Sequence, residues 1–102
     1  MKRKFTVHPS SITAASRKEN SPKKHVYDIC DHLNWNPPMF IDTAAGGYRI
    51  RYTESSQEEA QQTVDEIKQA ANELGIRVVR ALVKPAWRGE WYAYVVVPRY
   101  EG

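Results

Sequence analysis

Two stretches of the chain repeat their apolar residues at the helical interval. In the first, Val26, Ile29, Cys30 and Leu33 follow the i, i+3, i+4, i+7 spacing of a narrow helical stripe, which predicts a helix over residues 23–34. Pro22 sits just inside its start, and Asn36-Pro37-Pro38 ends it, because proline lacks the amide donor and disfavours helix in the residue before it. The second stretch predicts the longest helix, over residues 56–74, with Ala60, Val64, Ile67, Ala71 and Leu74 on one face. Ser56 with Glu59, or Ser55 with Glu58, supplies a capping box, and Gly75 stands where a C-terminal cap is expected. Its outer face is acidic, with Glu58, Glu59, Asp65, Glu66 and Glu73 against Lys68.

Four segments carry strand patterns: residues 39–43, 48–53, 76–83 and 91–97. In the second, Tyr48, Ile50 and Tyr52 alternate with Arg49 and Arg51. Ala44-Ala45-Gly46-Gly47 joins the first two strands as a hairpin turn, because glycine reaches the positive φ that such turns need. Residues 84–90 connect the last two.

The order from residue 23 is therefore αββαββ, an α+β domain. Short connections favour antiparallel hairpins, and the long helix favours a right-handed crossover between strands 48–53 and 76–83. Both rules are met by a four-stranded, mainly antiparallel but mixed sheet with both helices on one face, a circular permutation of the ferredoxin-like order. Residues 1–22 are expected to form a basic N-terminal arm, with an extra short strand at 4–8 and a Ser-, Pro- and Lys/Arg-rich loop at 9–22, ahead of one compact domain over 23–102.

Charge changes this picture more than composition does. Residues 1–25 hold seven Lys/Arg and one acid, whereas residues 26–102 hold eight Lys/Arg and eleven acids. A basic arm on a weakly acidic body suits an anionic partner, nucleic acid above all; it is equally what a merely solvated tail looks like. The lone cysteine, Cys30, excludes an internal disulfide framework. The apolar run after the basic N-terminus is too short for a signal peptide, and no stretch approaches a membrane span, which places the protein in the cytosol as an expectation.

The leading candidate site is the sheet face away from the helices. If Trp91, Ala93, Val95 and Val97 point inward, Tyr92 and Tyr94 point outward beside Arg49 and Arg51. Rings stack bases, and arginine both stacks and pairs with phosphate. The competing reading is that these are ordinary strand aromatics, covered by the N-terminal strand or by a second copy. The segment RGEWYAYVVV, residues 88–97, resembles over about eight residues the RNP1 pattern of RNA-recognition motifs, with Glu90-Trp91 as an insertion; this likeness of one segment assigns no family. Lys84, Trp87 and Arg88 form a second candidate at a hairpin tip, where Trp87 either is exposed as an anchor or folds back beside Trp91. His25, Asp28 and His32 share one side of the first helix, but the two histidines are about 10 Å apart along it, which suits solvated residues better than one metal ion. Cys30 lies in the apolar stripe, where a thiol is inert. No motif for a catalytic site, metal or cofactor is legible.

These features point to a non-catalytic protein that binds nucleic acid or a nucleoprotein complex. The arm (Lys2, Arg3, Lys4, Arg17, Lys18, Lys23 and Lys24) would supply salt-dependent attraction, and Arg49, Arg51, Lys84, Trp87, Arg88, Tyr92 and Tyr94 the contact surface. The alternative is a small inhibitor or adaptor of the phage or mobile-element type that binds a protein target through the Trp-bearing loop or the acidic helix. A homodimer paired through its apolar strands is a third reading.

Overall fold

The computed structural model describes residues 21–101. Helix α1 spans Lys24–Leu33, strand β1 Asp42–Ala44, β2 Gly47–Glu54, helix α2 Gln57–Glu73, β3 Arg80–Pro85 and β4 Trp91–Val97. Residues 1–20, which hold most of the expected arm and its short strand at 4–8, lie outside the described residues.

The strands form one sheet in the order β1-β2-β4-β3, and every neighbouring pair is antiparallel. The sheet is thus four-stranded and antiparallel rather than mixed. Strands β2 and β3, which flank the long helix, do run the same way, but β4 stands between them. The crossover leaves one strand position open, and the β3–β4 hairpin fills it.

Both helices cover one face of the sheet. Val26, Ile29 and Cys30 of α1 and Ala60, Val64, Ile67, Ala70 and Ala71 of α2 share one core with Tyr48 and Ile50 of β2 and Ala93, Val95 and Val97 of β4. Each large aliphatic side chain buried here contributes about 1.5–3 kcal/mol relative to exposure. The strand residues of the other parity are left for the opposite face.

Local chemistry accounts for the element ends. Ser56 accepts a hydrogen bond from the Glu59 amide at 3.1 Å, so the Ser56 register of the capping box is the one used. Helix α1 starts after Lys23, one residue later than expected, which leaves Pro22 outside it. It ends before the prolines, on Asn34 in the left-handed region (φ 63°), with the Trp35 amide donating to the Cys30 carbonyl at 2.9 Å. The same closure ends α2, where the Ile76 amide donates to the Ala71 carbonyl at 2.8 Å. That turn buries Ile76 and leaves Leu74, expected on the inner face, exposed.

Two strand boundaries differ from the pattern. Residues 39–41 are loop and only Asp42–Ala44 pair, the ladder with β2 ending at Asp42 and Arg49 and leaving Met39 and Phe40 exposed. Strand β3 begins at Arg80 rather than at residue 76, since Ile76 is engaged in capping α2. Gly47 is fixed by a close approach: a Cβ there would stand 1.9 Å from the Val97 carbonyl oxygen. No helix among the described residues is long and apolar enough to cross a membrane.

Candidate nucleic-acid interface

The face of the sheet opposite the helices is ordered by register. Arg49 stands across from Val96, Arg51 from Tyr94 and Thr53 from Tyr92 on the β2 side of β4. On its other side Arg80 stands across from Val96, Leu82 from Tyr94 and Lys84 from Tyr92. Alternation along β4 sends Ala93, Val95 and Val97 into the core, so Tyr92, Tyr94 and Val96 form the centre line of the open face.

Cations lean over these rings along the diagonals. The Arg51 guanidinium lies 4.8 Å from the Tyr92 ring centre. The Arg49 guanidinium and the Lys84 ammonium lie 5.1 and 5.3 Å from the Tyr94 ring centre. The two rings meet at 5.7 Å and 61°. A cation over an aromatic face is held by the ring quadrupole, worth about 0.5–1 kcal/mol at exposed sites. These contacts keep the long side chains on the face rather than loose in solvent.

Asp42, the β1 residue paired with Arg49, also forms an ion pair with its guanidinium. The Arg49 Nε is buried without a hydrogen-bond partner. Beside it is a shallow concavity of about 200 Å³, lined by Ala44, Arg49, Arg80, Leu82, Lys84, Tyr94 and Val96. Its floor is apolar and aromatic, and its walls are basic.

Arg49, Arg51, Tyr92, Tyr94 and Lys84 therefore form one surface. Lys84, expected at the hairpin tip, belongs to strand β3 and joins this surface. Trp87 and Arg88 stay at the tip, in a single 3₁₀ turn over Trp87–Gly89 in which Arg88 is left-handed (φ 57°). Trp87 is 77% exposed and does not fold back, whereas Trp91 packs against the core on the helix side.

Lys23 and Lys24 are not on this face. The Lys23 ammonium lies 5.9 Å from the ring of Tyr48, a core-side residue. Lys24 pairs with Asp28 at 2.7 Å and leans on Tyr100. The His25, Asp28 and His32 side chains each engage a different partner. His25 meets Tyr100 edge to face at 5.4 Å, and burial lowers its pKa below 6.5 against the pull of Asp28. His32 reaches across to Glu73 of α2 at 2.7 Å. Cys30 is buried, 3.6 Å from the Tyr52 hydroxyl.

Arg80 and Leu82 are the residues of this face that the sequence pattern did not single out. The signal is present, since Arg80, Leu82 and Lys84 alternate with Ala81 and Val83, but it is readable only once β3 is known to pair with β4. Comparison with protein-family models, curated proteins and solved structures gave no match for the chain.

Proposed function

We propose that this is a non-catalytic binding protein whose open sheet face takes single-stranded nucleic acid. The observation that carries the reading is the central tyrosine pair with Arg51, Arg49 and Lys84 set over its rings. A guanidinium lying on a ring presents a second planar surface outward, so a base can stack on the Arg51–Tyr92 pair without displacing it. Base stacking on such a platform is worth about 1–3 kcal/mol per base and tolerates any sequence. The lysine and arginine charge, together with the N-terminal Lys/Arg residues, supplies attraction to the phosphates that weakens as salt rises. The cytosol is the compartment in which such a partner and a free buried thiol both fit.

The test is the anisotropy of a labelled mixed-sequence single-stranded oligonucleotide at low and at high salt. Saturable binding that collapses at high salt and weakens on replacing both Tyr92 and Tyr94 with Leu supports the reading. Binding unaffected by that double replacement, or no binding at low salt, rejects it.

A second reading, an inhibitor or adaptor for a protein target, rests on a different observation. Met39, Phe40 and Trp87 are 87%, 67% and 77% exposed. Met39 and Phe40 lie beside Arg51 and Thr53, near the end of the sheet where the Trp87 turn leads into β4. Large exposed apolar side chains of this kind are anchors in protein interfaces. Loss of a captured partner on Trp87→Ala, with oligonucleotide binding absent, is the result that favours it.

A further inference from the structure

The open face is not uniform along β4, and the difference divides its work. At the Tyr92 end, one cation, Arg51, lies over one ring. At the Tyr94 end, Arg49 and Lys84 both lie within 5.3 Å of the same ring centre, and Arg80 lines the same concavity. Three cations therefore border a depression of about 200 Å³ whose floor is Tyr94, Leu82 and Val96.

Only part of that charge is neutralised. Asp42 pairs with one end of the Arg49 guanidinium, and its Nε has no partner. Among the described residues, neither Arg80 nor Lys84 has an ion pair. Like charges gathered on one face repel one another, and an anion seated among them relieves that cost. The volume is below the range usual for drug-sized ligands, about 300–1,000 Å³, and suits a group the size of a phosphate with its attached sugar. Guanidinium and ammonium are the donors that recognise phosphate oxygens.

Resting on the nucleic-acid reading, we infer that the concavity over Tyr94 is the phosphate subsite of the face. Arg80, Lys84 and Arg49 hold one phosphate of the strand, and the Tyr92–Arg51 pair carries the adjoining base. Arg80 is the new residue in this assignment. It holds the charge of the ligand and not its base. The same donors accept an internal phosphodiester or a terminal phosphate monoester.

An oligothymidine ten-mer and an abasic deoxyribose-phosphate ten-mer separate these roles, titrated against the full chain by anisotropy at several salt concentrations. Arg80→Ala, and Arg80→Ala with Lys84→Ala, are expected to weaken both oligomers. Each phosphate that the variant no longer neutralises makes the slope of log affinity against log salt shallower by about 0.7. Tyr92→Leu is expected to weaken the thymidine oligomer about 5-fold or more, consistent with the loss of one stacked base, and to leave abasic binding and the slope unchanged. Displacement of the ten-mer by millimolar thymidine monophosphate assigns the subsite to a terminal phosphate; no displacement assigns it to an internal phosphodiester. If Tyr92→Leu weakens the thymidine oligomer while the Arg80/Lys84 double variant leaves both affinities and slopes unaltered, the subsite is wrong and the nucleic-acid reading stands. If the unmodified chain binds neither oligomer at low salt, the reading fails and takes the subsite with it. All three positions are on the sheet face outside the core, and an unchanged urea midpoint is the check that each variant keeps its fold.

Discussion

The hydroxyl of Tyr52 donates a 2.6 Å hydrogen bond to the backbone carbonyl of Asn36. The bond ties the inner strand β2 to the loop that leaves α1. The Tyr52 ring also meets the buried Trp35 edge to face at 5.5 Å, so the first helix is anchored to the sheet through its C-terminal turn. Burial is the main cause that raises the Tyr52 pKa far above its ordinary value of 10.0, with Cys30 and Glu54 pushing the same way. A raised pKa of this sort contributes stability that is complete below the unfolded value and is lost as pH rises past it. Tyr52 is therefore expected to ionise only as the protein unfolds. In an alkaline titration at 295 nm, the absorbance step that Tyr52→Phe removes should coincide with loss of the near-ultraviolet circular dichroism. At neutral pH the same substitution is expected to cost about 1 kcal/mol, read from a urea midpoint.

Glycine replacements should separate space from conformation. Gly47→Ala drives a Cβ into the β4 backbone, with only backbone atoms to give way. It is expected to destabilise by about 3 kcal/mol or more, a loss on the scale of overpacking combined with strain. At Gly75, φ is +74° and nothing lies within 4 Å of the added carbon, so Gly75→Ala meets only the conformational penalty, about 1–2 kcal/mol. The thermal midpoints should fall in the order wild type, Gly75→Ala, Gly47→Ala.

Trp87 should be energetically silent in the free protein. Its side chain is exposed, Trp35 is buried and Trp91 packs against the core. Trp87→Ala is expected to change stability by less than about 0.5 kcal/mol. It should also shift the tryptophan emission to the blue and remove most of the acrylamide quenching. Unchanged quenching would mean that the tip is covered in solution.

The two helices are joined on the outside by His32 and Glu73, whose nearest atoms are 2.7 Å apart. The His32 hydrogen bond, assisted by Gln69, holds the Glu73 carboxyl below its ordinary value of 4.5. A depressed carboxyl contributes stability that is present above the unfolded pKa and fades as pH falls through the folded one. His32→Ala is expected to return the Glu73 pKa towards 4.5, measured on its carboxyl carbon by NMR. Being exposed, the pair should have little effect on the melting temperature.

A buried pair sets a contrasting expectation. Thr63 of α2 donates to the carboxyl of Glu54 at 2.7 Å, and both residues are buried. Thr63→Val keeps the volume and removes the bond, with an expected loss of about 1–3 kcal/mol. Denaturant unfolding at pH 7 checks it, with Thr63→Ser as the variant that keeps the hydroxyl.

Much of this architecture is written locally. The stripe of Val26, Ile29 and Cys30, the Ser56 cap with its Glu59 amide, and the parity of Trp91 through Val97 all appear in the structure as the pattern along the chain indicates. Asn34 as the left-handed end of α1 has a local signal too, since asparagine is the usual stand-in for glycine there. Leu74 departs from its pattern because the helical period continues through it, while the capping turn at Gly75 rotates the next apolar residue, Ile76, into the core.

Residue spacing along the chain is enough to place the helices, to show which side of β2 and β4 is apolar, and to put Arg49, Arg51, Tyr92 and Tyr94 on the other side. Neighbours a few positions apart carry that information, because helix and strand periods are set by backbone geometry. Strand order is a property of the assembled fold alone. Placing β4 between β2 and β3 sets Arg80 and Lys84 beside Tyr94, opposite Arg49, and so makes the basic concavity. Such pairings reach as far along the chain as Tyr48 with Val97. Which edge each hairpin takes is settled by burying the α2 face over β4 and its two neighbours together, a condition that no single segment of the chain carries.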